Sequence, residues 1–329
     1  MKKRILSGIT ATGTLTIGNY LGAIKNFVKL QEEFEMFIFV ADLHALTNPI
    51  EPKELRKNKK NIMALYIACG LDPEKTTLFN QSDVKEHGHM SWLISSQTTI
   101  GELNRMTQFK DKSSKVKSSN GTEMIPTGLL IYPALMAGDI LLYNPDLVPV
   151  GADQKQHLEL TRNIATRINN KFGDTFKIPK PYIAKEGAKI MSLTDPTSKM
   201  SKSSPNAKSH ILLLDDPELA ASKIRKAVTD SENKVYVSPE KPGVTNLLTI
   251  YAGFKDITIA EAAEYFKNHN YKDFKDEIAV VVKEFLINIQ AKYKDAILNV
   301  KEIAEQGALK ASQQAIKSSS KLERRLGLK

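Results

Sequence analysis

Apolar positions in the first half of the chain come in short unbroken runs separated by stretches with helical spacing. Residues 4–9 (Arg-Ile-Leu-Ser-Gly-Ile) form one run and 36–41 (Met-Phe-Ile-Phe-Val-Ala) another. Such runs are expected of parallel strands buried on both faces. Thr76 to Asn80 and Leu147 to Val150 read as further strands. Between them the spacing predicts helices from Tyr20 to Leu30 and over 53–70, 87–99, 123–143 and 153–169. Glu51-Pro52 starts the second of these and Gly70 stops it. Strand alternating with helix predicts an α/β, doubly wound parallel sheet, a Rossmann-like nucleotide-binding domain. Ligands of such sheets bind at the carboxyl ends of the strands. Gly8 to Asn19, Asp42 to His44 and Gly151 to Gln154 all follow strands and can meet there.

From about residue 205 the strand runs fade. Helical periodicity governs 217–230, 258–268, 272–297 and 300–325, which predicts a smaller all-helical domain. The division is 1–204 for the Rossmann-like domain and 205–329 for the helical region, with the last helix packing back on the first domain. Residues 110–122 read as a lysine-rich loop, either a lid or a solvated connection.

Composition sets limits on this architecture. The 329 residues suffice for two domains, and 41% hydrophobic content suffices for a core. No apolar run approaches the ~20 residues of a membrane-spanning helix. The basic start Met1-Lys2-Lys3-Arg4 precedes too short an apolar stretch for a signal peptide. The one cysteine, Cys69, excludes an internal disulfide and a cysteine-cluster metal site. The expected compartment is the cytoplasm. A net charge of +10, from 47 Lys+Arg against 37 Asp+Glu, suits a polyanionic partner.

Three places carry candidate chemistry. Lys199-Met200-Ser201-Lys202-Ser203 puts two lysines three apart among small hydroxyl residues. It is either a solvated basic loop or a clamp for a polyphosphate whose charge rises as a bond to phosphorus breaks. Near the start, Thr10-Ala11-Thr12-Gly13-Thr14-Leu15-Thr16-Ile17-Gly18-Asn19 joins a strand to a helix. Its glycines admit a ligand close to the backbone, and a helix start favours phosphate. Asn19-Tyr20 stands where a P-loop needs Lys-Ser/Thr, and no G-x-G-x-x-G fingerprint is present. Third, Asp139 has Leu135, Met136, Leu142 and Tyr143 as its helical neighbours. A carboxylate on an apolar face needs a partner, as a structural cap or as a ligand contact.

Thr16-Ile17-Gly18-Asn19 early and Lys199 to Ser203 later resemble the HIGH and KMSKS motifs of class I aminoacyl-tRNA synthetases. The TIGN form is similar to the bacterial-type tryptophanyl branch. Further segments agree in order, among them Ala41 to Ala45, Gly101 to Phe109, Tyr132 to Tyr143, Val148 to Thr161 and Ala227 to Ser231. The resemblance implies ATP-dependent activation of L-tryptophan and transfer to tRNA(Trp). Mg²⁺ accompanies ATP, no protein metal site is expected, and the chain is expected to form a homodimer. The first domain becomes catalytic and the second tRNA- and anticodon-binding.

By the same resemblance Lys199, Lys202, Thr16, Asn19 and Lys112 serve catalysis. Thr10, Ala11, Thr12, Gly18, Gly151, Ala152, Asp153, Ile190, Met200, Ser201 and Ser203 join Asn19 and the two lysines along ATP. Asp153 would accept from the ribose and Ile190 would flank adenine. Asp139 would read the indole N–H, with Met136 beside it and Leu6, Val148 and Val150 as apolar walls. Tyr132 and Gln154 would hold the ammonium, and His44 lies on the tryptophan side. His44 and His157 read as supporting groups rather than metal ligands, and His87 and His89 as surface residues. Thr10-Ala11-Thr12 departs from the usual Gln-Pro-Ser, so a contact made by that glutamine does not carry over to Thr10. The rival readings are a tyrosyl-tRNA synthetase, a small-molecule nucleotidyltransferase of the same superfamily, and a non-catalytic RNA-binding paralogue.

Overall fold

Five parallel strands form the sheet, with the first strand in the middle. The computed structural model describes residues 2–114, 125–151, 154–182, 189–202 and 204–329. β1 (Arg4–Thr10) leads into α1 (Ile17–Asn19), a π-helical turn at Tyr20–Ile24 and α2 (Lys25–Leu30). β2 (Glu35–Ala41) pairs with β1 from Arg4 opposite Glu35 to Thr10 opposite Ala41. A short α3 (Asp42–Ala45) sits at its carboxyl end, followed by α4 (Pro52–Ala68), with Pro52 in the first helical turn. β3 (Thr76–Asn80) pairs outside β2.

The chain then folds into α5 (Glu86–Ser95), α6 (Ile100–Asn104), α7 (Thr107–Ser113) and α8 (Thr127–Tyr143). β4 (Leu147–Pro149) returns to the free side of β1, with Leu147 opposite Ile5. α9 (Lys155–Phe172) carries the chain over to β5 (Lys180–Tyr182). The sheet order β3-β2-β1-β4-β5 reverses direction at β1. That is the switch point where a crevice opens beyond the strand ends.

Strand residues alternate between two cores. Ile5, Met36, Ile38, Val40 and Leu78 face one, shared with α4 and the helical region. Leu6, Phe37, Phe39, Phe79 and Val148 face the other, shared with α5, α8 and α9. Helices α10 (Pro217–Arg225), α11 (Pro242–Lys255), α12 (Ile259–Phe266) and α13 (Tyr271–Leu326) complete the chain.

Three expectations change. The two terminal helices are one 56-residue helix, because no Gly or Pro interrupts 271–306. Its apolar stripe moves from the first core (Val282, Leu286, Ala304) to the second (Ala308, Ala311, Leu322) as it crosses the β3 edge. α11 was not predicted. Pro242 announces it, but its apolar residues surround the helix rather than forming a stripe, as Leu247, Leu248 and Ile250 are all buried. Lys110 to Ser113 are helical, as the end of α7; residues 115–122 of the expected loop lie outside the described residues.

Candidate active site

The carboxyl ends of β1, β2 and β4, together with α8, surround a cavity of about 350 Å³. Leu6, Met136, Val148 and Val150 give it apolar walls. Asp139, His44, Tyr132 and Gln154 supply polar groups on the same lining. All eight residues expected around tryptophan are thus brought together. Thr10 and Lys112 line the same space. Lys112 is exposed on α7, with its Nζ 5.5 Å from the Tyr132 ring centroid. Tyr132 Oη lies 2.8 Å from His157 Nε2 and 3.1 Å from Gln108 Oε1.

Asp139 is 1% exposed and accepts from three side chains. Gln81 Nε2 (2.8 Å) and His87 Nδ1 (2.7 Å) meet Oδ1, and His44 Nε2 (2.7 Å) meets Oδ2. Burial would raise this carboxyl, but the hydrogen bonds from His44 and His87 outweigh it and hold it down to about 2. Asp139 therefore stays a charged acceptor. The supports are themselves fixed, since Gln81 Oε1 accepts from Leu43 N at 3.1 Å. His87 Nε2 lies 2.8 Å from Tyr143 Oη. With Nδ1–H donated to Asp139, the far nitrogen of a neutral His87 accepts from the tyrosine.

The two phosphate motifs meet. Lys202 Nζ donates to Gly13 O at 3.2 Å and to Thr10 O at 3.4 Å. Burial pushes this ammonium down to about 8. Gly13 has φ +146°, and a β-carbon there would touch the Lys202 side chain at 3.4 Å. Gly18 packs against Ile190 and Met200, whose β-carbons would lie 3.5 and 3.7 Å from an added one. Thr16 and Asn19 form a capping box: Asn19 N donates to Thr16 Oγ1 (3.2 Å), and Thr16 N donates to Asn19 Oδ1 (2.9 Å). Thr16 Oγ1 also donates to Asn19 Oδ1 at 3.1 Å, so the Thr16 hydroxyl has no donor left for a ligand, while the Asn19 NH₂ stays outside the box.

The remaining predicted residues are spread along this crevice. Ala11 is buried; its N donates to Ala41 O (3.3 Å) and its O accepts from Asn58 (3.2 Å). Thr12 is half-buried, and Gly151, Lys199 and Ser201 are exposed. Ile190 and Met200 are buried in the core, and Met200 N donates to Ile190 O at 3.0 Å. Ala152, Asp153 and Ser203 lie outside the described residues.

A family model described as tRNA synthetases class I (W and Y) matches residues 1–287. The chain belongs to this family. A tryptophan–tRNA ligase of Mycoplasmopsis pulmonis is 60% identical over 328 residues, covering 100% of this chain and 99% of that one. The crystal structure of tryptophanyl-tRNA synthetase from Mycoplasma pneumoniae superposes with a TM-score of 0.93 at 43% identity, over 100% of this chain and 99% of that one. That from Campylobacter jejuni, complexed with ADP and tryptophan, gives a TM-score of 0.81 at 32% identity, over 98% and 99%.

Within this class I frame, sequence reasoning missed two of the three groups that hold Asp139, His87 and Gln81. His87 was expected at the surface, yet it is 0% exposed and bonded on both ring nitrogens. The available signal was Tyr143, one helical turn after Asp139, which reaches the same imidazole. Gln81 gave none, because only the β3–α5 connection brings it under α8. Asn246, 4% exposed on α11, was missed with its helix.

Proposed function

We propose that this chain activates L-tryptophan with ATP and transfers it to tRNA(Trp). The observation that carries the reading is the buried, charged Asp139 in a cavity whose apolar walls are Leu6, Met136, Val148 and Val150, in a chain 60% identical to a tryptophan–tRNA ligase. A flat apolar ring with one N–H donor satisfies both features. Phenylalanine leaves the carboxylate unmatched, which a site of this kind rejects by about 10⁴-fold without editing.

In the first step the tryptophan carboxylate attacks the α-phosphorus of ATP. The bond from that phosphorus to the bridging oxygen breaks and pyrophosphate leaves. The nucleophile is already ionised, so catalysis consists of positioning and charge stabilisation. Tyr132 and Gln154 meet the ammonium, and Leu6, Met136, Val148 and Val150 enclose the indole, with His44 fixing the carboxylate that reads it. The Thr10-Ala11-Thr12 turn, Gly18 and the Asn19 side-chain amide border the nucleotide, with Thr16 fixing the helix start. Lys199, Lys202 and Lys112 stabilise the leaving charge. ATP would arrive as its Mg²⁺ complex, the ion supplying further positive charge beside the lysine and amide donors of this crevice. Gly151, Ala152, Asp153, Ile190, Met200, Ser201 and Ser203 complete the nucleotide contacts by family resemblance. In the second step a hydroxyl of the 3′-terminal adenosine takes the acyl group and AMP leaves.

Residues 1–204 are the catalytic domain and 205–329 the tRNA-binding region in this reading. The chain works as a homodimer in the cytoplasm. The 73% exposed Trp92 on α5 and the partly exposed Ile131 on the adjoining α8 are apolar surface suited to a second copy. The test is charging of a tRNA(Trp) transcript. Tryptophanyl-tRNA formed with tryptophan and ATP supports the reading, and adenylate formed without charging would favour a small-molecule nucleotidyltransferase.

A further inference from the structure

Lys199 sits on a hairpin. Met200 N donates to Ile190 O (3.0 Å) and Ser192 N to Ser198 O (2.9 Å), which pairs Met191 with Lys199 in an antiparallel bridge. Neither of these bonds uses the N–H or C=O of Met191 itself. In such a pair the two backbone groups of the facing residues point outward, away from the partner strand. Left unpaired on a buried strand edge they would each carry a desolvation cost.

Asn246 takes both. Its Oδ1 accepts from Met191 N at 2.8 Å and its Nδ2 donates to Met191 O at 3.0 Å. The side-chain amide thus stands in for a third strand. Asn246 belongs to α11, in the helical region, not to the sheet. The other holds on the hairpin come from the same direction: Leu193 N donates to Ser209 O (2.9 Å), and Val228 N donates to Leu193 O (2.8 Å). The hairpin is registered against the helical region, while its lysines reach toward the β1 loop, where Lys202 meets Thr10 and Gly13.

We infer that Asn246 is a positioning residue for activation: its amide fixes Met191, and through the hairpin sets where Lys199 and Lys202 meet the leaving phosphates. It touches neither the substrates nor the lysines. An amide is required because one side chain must accept and donate at a single residue. Aspartate keeps the size but loses the donor and sets a carboxylate against Met191 O. This inference rests on the lysine roles proposed above, and a displacement on the ångström scale at such a site costs up to about 100-fold in rate.

The experiment is tryptophan-dependent ATP–pyrophosphate exchange with Asn246→Asp, Lys202→Ala and the double variant, alongside tryptophan binding by calorimetry. Asn246→Asp is expected to lower kcat by about 10- to 100-fold, with tryptophan Kd unchanged within about twofold. The double variant is expected to lose less than the product of the two single losses, because both changes act on one clamp in which only Lys199 remains to be misplaced. Asn246→Ser, small enough to admit water to Met191, is expected to be intermediate, and it carries the test if the aspartate variant does not fold. Unchanged kcat, weakened tryptophan binding, or losses that multiply in the double variant would each overturn the inference. Wild-type kcat in Lys202→Ala would instead sink the lysine reading, and the positioning role with it.

Discussion

His87 Nδ1 lies 2.7 Å from Asp139 Oδ1, and the opposite nitrogen of the same ring lies 2.8 Å from Tyr143 Oη. The pair turns an expensive buried carboxylate into a fixed acceptor. Two of its three donors, Gln81 and His87, are anchored behind, which holds its direction. Removing one donor leaves the charge under-satisfied without leaving it free.

His87→Leu is therefore expected to weaken the reading of the indole N–H rather than abolish catalysis. The KM for tryptophan should rise by about tenfold, the scale of one charge-assisted hydrogen bond, with kcat less affected. Discrimination against 1-methyltryptophan, which lacks the donor, should narrow. Steady-state exchange with both amino acids measures this. Equal loss with the two would mean that His87 supports only the fold.

Lys202→Ala should act on the other side of the reaction. Loss of a preorganised cation at the leaving group is expected to lower kcat for activation by about 10²–10³-fold, with tryptophan affinity unchanged. A large loss of affinity at constant rate would contradict the assignment.

The same lysine predicts a pH limb. Burial pushes Lys202 down to about 8. The cation is the active form, so kcat/KM for ATP should be level below about pH 8 and fall above it as the proton leaves. Bound triphosphate favours the cation, so the limb in kcat should lie at higher pH than that in kcat/KM. Lys202→Arg should remove the limb from both profiles, because arginine keeps its charge.

Two glycines separate packing from propensity. A β-carbon at Gly307 would come 1.8 Å from Leu78 O, where α13 crosses β3. Gly307→Ala must push the last helix off the sheet edge, at a cost of about 1–3 kcal/mol or more. At Gly88 nothing lies within 4 Å, and the residue is in α5. Gly88→Ala should leave the melting temperature level or raise it slightly. Thermal unfolding of the two variants is the check.

Four of the five strands were legible: Thr76–Asn80 coincides with its predicted bounds, β1 and β2 each extend by one residue, and β5 (Lys180–Tyr182) was missed because Lys-Pro-Tyr gives no apolar run. The two segments that meet at Lys202 were picked out by motif spacing, and Asp139 by a charge on an apolar helix face. What escaped depends on tertiary neighbours. His87 looked like a surface histidine because α5 has no clear polar side, and its partners lie 52 and 56 residues away. Asn246 pairs with a backbone 55 residues earlier, which leaves no local mark. The break expected near residue 298 reflected an interruption of the buried stripe, where Leu298 is exposed, and not an end to the helix.

The most direct test of the account is ATP–pyrophosphate exchange with each of the twenty amino acids in turn, without tRNA. Exchange driven by tryptophan alone is the predicted result, and it would tie activation to the Asp139 cavity. Exchange driven by tyrosine instead would contradict the cavity reading while leaving the lysine chemistry standing. Absence of exchange with every amino acid would contradict both.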